Sequence, residues 1–230
     1  MSSKVRLVVE SHAHFVLLQG HNEEPVFRGE SDYQQFLSLM RRLKQEVPIE
    51  VQGWCLEEDA ARLLLVPHTA GALCTFIQEL KSQYTITFNM QRGHKGTVWE
   101  GVYRSSVVEP GQSCLACLRY LETLAKRRGL VHRSKDYHWS SLSARLNGDC
   151  SLLDPCPEHQ KLGADEAARR KEYLTFLSAG TTDAKAKYIE TQIRRGQLIG
   201  SARFVDRIEQ LAGRRIEPRG RGRPPKRTKE

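Results

Sequence analysis

Between residues 4 and 129 the apolar side chains switch between two periods, about 2 and about 3.6, and the order of those periods limits the folds open to the chain. Residues 4–18, KVRLVVESHAHFVLL, are rich in valine and leucine with polar breaks and predict a strand across most of the stretch. After the turn-rich QGHNEEPVFRGE, Ser31 and Gln34 form a capping-box pattern. Tyr33, Phe36, Leu37, Met40 and Leu43 then recur at helical spacing until Pro48. IEVQGWCL and ARLLLVP read as two strands, a hairpin around the acidic EED of residues 57–59. A second helix is expected over 70–88, with Leu73, Phe76, Ile77, Leu80 and Tyr84 as its buried stripe. VYRSSVVE is a fourth strand, and Pro110 and Gly111 turn the chain into a third helix, SCLACLRYLETLAKRRG, closed by Gly129.

The order β-α-β-β-α-β-α is the ferredoxin-like arrangement with one added helix, an α+β fold whose βαββαβ part lays its helices on one face of a sheet. We assign it residues 1–150. Beyond them LLDPCPEHQKLG is a proline-broken connector, followed by helices over about 164–178 and 184–195. RRGQLIGSARFVDRIEQLAG then gives helix, turn and helix, with Ser201 as cap and Phe204, Val205, Ile208 and Leu211 on the buried side. Residues 151–213 thus form a helical region with a candidate helix-turn-helix, expected to bind DNA. Residues 214–230 are a basic tail.

The chain's 230 residues suffice for one large domain or a domain with an appendage. No run approaches the roughly 20 apolar residues of a membrane span, and MSSKVRLVVE lacks the apolar stretch of a signal peptide. A soluble, unexported cytoplasmic protein without a membrane partner is expected. The 6 cysteines are expected to be reduced thiols, and Cys114-x-x-Cys117 has no second pair at zinc-ribbon spacing. Charge is unevenly placed. Eight basic residues stand against Glu217 and Glu230 in the tail, so most of the net charge of +9 lies there. Such a tail on a near-balanced body points to an anionic polymer, with phosphates favoured over lipid. Within it Arg221-Gly222-Arg223-Pro224 resembles an AT-hook, whose arginines enter the minor groove of A·T-rich duplex. Arg219, Arg221, Arg223, Lys226 and Arg227 are its candidate DNA contacts.

The stretch EEDAARLLLVPH carries the candidate chemistry. Alternation puts positions 60, 62 and 64 on one face of its strand, so Ala60 and Arg62 share that face. His12-Ala13-His14 is a second paired motif, on the first strand, where histidines more often hydrogen-bond to backbone or water than bind metal.

In order along the chain, HFVLLQGHNEEPVF, DYQQFLSLM, LLLVPHTAGAL, GTVWEGVYRSSVV, LRYLETLAKRRGLV, DYHWSSL and RGRGRPPK resemble successive landmarks of the REP-associated tyrosine transposases, relatives of the single-tyrosine HUH transposases. The resemblance implies a tyrosine that attacks a phosphodiester of single-stranded DNA near a hairpin and becomes joined to the 5′ phosphate. It also implies a divalent metal beside the phosphate, since a phenol of pKa about 10 is a weak nucleophile. Carried over by position, the nucleophile is Tyr120, the two histidine ligands fall on Ala60 and Arg62, and the third ligand falls on Leu124, one helical turn from Tyr120. None of the three side chains is a metal ligand, so no cofactor is expected.

Two readings of Arg62 follow: it contacts a DNA phosphate where the cation would stand, or it pairs with Glu57, Glu58 or Asp59. Lys126, Arg127 and Arg128 are further candidate phosphate contacts. Trp99 reads as a base-stacking platform or as core. The leading function is a DNA-binding, transposase-like protein of the nucleoid that recognises hairpin single strands, with cleavage by Tyr120 impaired. Homodimers are implied by the wider class. One alternative is an active nickase in which Glu57, Glu58, Asp59 and Glu122 hold magnesium or manganese. Another is a regulator that binds duplex DNA.

Overall fold

The computed structural model describes residues 7–93, 95–149 and 151–217. Its strands are β1 (His14–Gln19), β2 (Ile49–Glu57), β3 (Ala60–Pro67) and β4 (Arg104–Val107). They form one antiparallel sheet in the order β2-β3-β1-β4. β3 lies between two neighbours and is buried along its whole length, which lets ARLLLVP be apolar at consecutive positions.

Helices α1 (Glu30–Glu46) and α2 (Ala72–Arg92) cover one face. Val16, Leu18, Leu63 and Leu65 point to them and meet Phe36, Met40, Phe76, Leu80 and Tyr84. Each such side chain contributes about 1.5–3 kcal/mol on burial. Trp99 belongs to this core, its ring 5.5 Å from Tyr84 and 5.8 Å from Phe36, so of its two readings the packing one describes this structure.

The alternate residues Phe15, Leu17, Ala60 and Leu64 face the other way. Helix α3 (Gln112–Arg127) lies there across β2 and β3. Gly53, at a bulge in β2, permits the approach: a Cβ there would stand 3.0 Å from the Leu118 Cδ2 methyl. Beyond α3 come α4 (Ser141–Asn147), α5 (Pro157–Gln160), α6 (Glu166–Ser178), α7 (Asp183–Arg195) and α8 (Ala202–Ala212). α7 covers β4 and β1 beside α3 through Ala186, Ile189 and Ile193. α8 packs Phe204 and Ile208 against Val107 and Leu198, with Ser201 capping it through the Phe204 N–H.

Several details depart from the sequence reading. β1 starts at His14, so residues 7–13 of the predicted stretch are not strand, and residues 4–6 lie outside the described residues. The capping box of Ser31 and Gln34 does not form, because α1 begins at Glu30 behind Gly29 and no side chain caps it. Asp32 instead accepts the Arg28 N–H at 2.7 Å and pairs with Arg92 at 2.6 Å. That pair, together with Gly93 in the left-handed conformation, extends α2 to Arg92. Leu211 is 72% exposed, one turn past the last α8 residue that packs.

Candidate functional site

The site grows from the hairpin of β2 and β3. Ala60, Arg62 and Leu64 share the face under α3, as alternation requires. Cys55 is the direct cross-strand partner of Arg62, and Glu57 reaches the guanidinium on the diagonal. The pair is buried, with the two side chains 7% and 2% exposed. Burial lowers the Arg62 pKa and pushes the neighbouring Cys55 thiol up to about 12. Arg128, just past α3, brings its Nε to 2.6 Å from Glu57 Oε1 and stays 42% exposed. One carboxylate therefore sits between two guanidiniums. The surplus positive charge reaches solvent at Arg128.

Tyr120 stands on the face of α3 turned to the sheet, 1% exposed, its ring 5.9 Å from that of Phe15. Its hydroxyl donates to Glu190 Oε1 on α7 at 2.8 Å. Burial raises the phenol pKa, the nearby Arg62 offsets part of the rise, and Glu190 adds to it. The tyrosine is held neutral and covered by α7. Sequence reasoning missed both Glu190 and the cover. Ala186, Ile189 and Ile193 do show an apolar stripe, yet nothing in a stripe says which surface it meets.

The residues beside Tyr120 do not fit the divalent metal that the resemblance implies. Ala60 and Leu124 are each 1% exposed, join the same apolar cluster as Tyr120 and Leu64, and offer no donor atom. Arg62 brings a positive charge. The four candidate replacement carboxylates are dispersed. Glu57 is held by Arg62 and Arg128, and Asp59 accepts from Gln19 Nε2 at 2.8 Å. Glu58 is exposed at the hairpin tip. Glu122 accepts from Ser141 Oγ at 2.6 Å, Arg145 Nε at 3.1 Å and the Tyr173 hydroxyl at 2.6 Å. That buried network ties α3 to α4 and α6.

Among the described residues, one group has metal-ligand spacing: Cys114, Cys156 and Glu158. The two sulfurs are 3.9 Å apart, Cys156 Sγ lies 3.4 Å from Glu158 Oε2, and Glu158 Oε1 accepts the Gly111 N–H. Cys114 thus faces Cys156 in the connector, across α3's N-terminal turn, six residues before Tyr120. His12 and His14 are committed to backbone: each Nδ1 bonds a carbonyl, and His14 Nε2 accepts the Val9 N–H at 3.2 Å. Burial pushes the His14 pKa down to about 4.

Lys126 and Arg127 project from the end of α3 into solvent near Arg128. Arg127 pairs with Asp183 at 2.7 Å and donates to the Thr181 carbonyl, linking α3 to the start of α7, whereas Lys126 has no ion-pair partner among the described residues. Arg219, Arg221, Arg223, Lys226 and Arg227 lie outside the described residues. No described helix is long and apolar enough to cross a membrane.

No curated protein matches the chain in sequence. Among solved structures, a REP-associated tyrosine transposase bound to a REP hairpin overlays with a TM-score of 0.54 at 15% identity, covering 67% of this chain and 89% of that one. A Deinococcus radiodurans protein described as a transposase overlays with a TM-score of 0.38 at 15% identity, covering 57% and 96%. A bacterial tRNA(His) guanylyltransferase-like protein in complex with ATP gives 0.39 at 10% identity, covering 75% and 74%. The family model described as transposase IS200-like matches residues 7–123, from before β1 through Tyr120, which is half the chain and the whole sheet with α1, α2 and most of α3. This chain belongs to the IS200-like transposase family.

Proposed function

We propose that this protein binds hairpin-forming single-stranded DNA and does not cut it by a metal-assisted route. The observation that supports the reading is that Ala60, Arg62 and Leu124, the positions where the resemblance expects metal ligands, stand around a tyrosine closed over by α7. Ala60, Arg62 and Leu124 offer a cation no donor atom, and the carboxylate at the tyrosine, Glu190, is engaged with its hydroxyl. Lys126, Arg127 and Arg128 form a basic edge for DNA phosphates. Arg62 acts through this edge: it neutralises Glu57, so that Arg128 keeps its charge for the strand. The choice of a hairpin is supported by the overlay on a transposase bound to one. Tail arginines Arg219, Arg221 and Arg223, with Lys226 and Arg227, hold nearby A·T-rich duplex. A nucleoid location follows from such binding. A homodimer would show itself as two hairpins bound per particle.

One observation favours a second reading. Glu190 Oε1 accepts a hydrogen bond from the Tyr120 hydroxyl at 2.8 Å, the geometry of a general base beside a nucleophile, so a metal-independent cleavage would need a strand to reach Tyr120 with α7 in place.

The test is fluorescence anisotropy on a hairpin with a single-stranded flank, a duplex and an unstructured strand of equal length, each with and without EDTA. The expected result is tightest binding to the hairpin, unchanged by EDTA. Tightest binding to duplex would replace this reading with a duplex regulator.

A further inference from the structure

The outer edge of β4 carries a cleft of about 290 Å³ that lies away from the Tyr120 hydroxyl and the Glu57 pair. Five arginines line it: Arg104 on β4, Arg194 and Arg195 in the last turn of α7, and Arg214 and Arg215 just after α8. All five are exposed. Arg194, Arg195 and Arg215 make no ion pair among the described residues. Three carboxylates, Glu100, Glu209 and Glu217, stand near these five arginines and offset part of their charge. Glu100 is 3.7 Å from Arg104, Glu217 accepts from Gln192, and Glu209 accepts the N–H groups of Ile216 and Glu217. Like charges gathered round one hollow repel, and an anion between them relieves the repulsion.

Ser105 supplies an independent sign. It lines the same cleft, is only 8% exposed, and its hydroxyl meets no partner. Backbone alternation turns the Ser105 amide to this edge as well, since the Val107 carbonyl on that side accepts from Ile199 at 2.9 Å. A donor-rich, arginine-walled hollow suits phosphate oxygens, which guanidinium forks bind two at a time. Arg194, Arg195 and Arg215, beside Arg104 and Arg214, exceed what one phosphate needs and suit a run of them.

α7 connects this cleft to the tyrosine. Glu190, the partner of Tyr120, precedes Arg194 by four residues, about 6 Å along the helix axis. We propose that the cleft binds the phosphodiester backbone of a DNA strand that runs along the Arg104 and Ser105 end of β4's outer edge toward Tyr120. The inference rests on the DNA-binding reading above and adds where the strand lies.

The test compares the double variant Arg194→Ala/Arg195→Ala with Arg170→Ala/Lys171→Ala, which removes the same charge from an exposed face of α6. Binding to the flanked hairpin is followed from about 50 to about 200 mM salt, the range over which phosphate contacts separate clearly. The cleft variant is expected to lose on the order of tenfold in affinity and to flatten the slope of log K against log salt by about 1.4–1.8, for two lost contacts. The α6 variant is expected to keep the wild-type slope. Equal slopes in the cleft variant and wild type, or an equal loss in both variants, would overturn the assignment while leaving DNA binding in place. Failure of the wild-type protein to bind any DNA would overturn the functional reading itself and this inference with it.

Discussion

Glu57 holds two cations, and its removal should be costly. Glu57→Gln leaves Arg62 charged in an apolar setting, so unfolding in urea should show a loss of about 3 kcal/mol, whereas Arg62→Met, which removes the charge and keeps the bulk, should be nearly neutral. Equal losses in the two would show that Arg128 does not hold the Glu57 charge once Arg62 is gone. His14 makes a second prediction. Its folded pKa, about 4, lies below the ordinary value, so the unfolded chain takes up the proton first. The stability that neutral His14 supports is intact above about pH 6.5 and is lost as pH falls toward 4, by up to about 3 kcal/mol. Burial lowers His159 to about 4 as well, which adds in the same direction. His14→Phe should therefore narrow the gap in urea midpoint between pH 7 and pH 4.5; an unchanged gap would show that other groups set it. The sequence offered Glu57, Glu58 and Asp59 as equals for Arg62, since three neighbouring acids cannot be ranked without the register. The diagonal across β2 and β3 singles out Glu57.

The elements were legible where their periods were long and their ends marked. α1, α2 and α3 could be read from their stripes, and Gly93, Gly196 and Gly213 stand where helices stop. The Ser31 pattern misled because Asp32 has a stronger use 60 residues away, in Arg92. What no local pattern could reveal is that α7, more than 60 residues past Tyr120, returns to lie beside α3. Ile189 is fully buried in that contact, so Ile189→Ala should cost about 2–4 kcal/mol in chemical denaturation. Hydrogen exchange should speed in α7 and around Tyr120 more than in α1. Uniform acceleration would mean that α7 is no separate cover. Tyr120→Phe leaves the cover in place and removes one hydrogen bond to Glu190. A loss of about 1 kcal/mol is expected, with hairpin affinity unchanged.

At the scale of the molecule, both faces of one sheet are used, the first for the α1 and α2 core and the second for the face on which Tyr120 lies among apolar side chains beside the Glu57–Arg62 pair. Ala60, Arg62 and Leu124 could be singled out in the sequence only because landmarks on either side fix the comparison. Composition alone would have given a basic protein and little more. The cleft on β4 was illegible in sequence for another reason: Arg104, Arg194 and Arg215 come together only through the sheet edge and the turn between α7 and α8. The most direct measurement is covalent adduct formation. Purified protein is mixed with hairpin DNA carrying a single-stranded flank, with manganese, magnesium or EDTA, and resolved on a native gel and on a denaturing gel beside Tyr120→Phe. The account predicts bound hairpin in the native gel and no adduct under any condition. A metal-dependent adduct that disappears in Tyr120→Phe would contradict it, and would mean that the face of Ala60, Arg62 and Leu124 still supports cleavage.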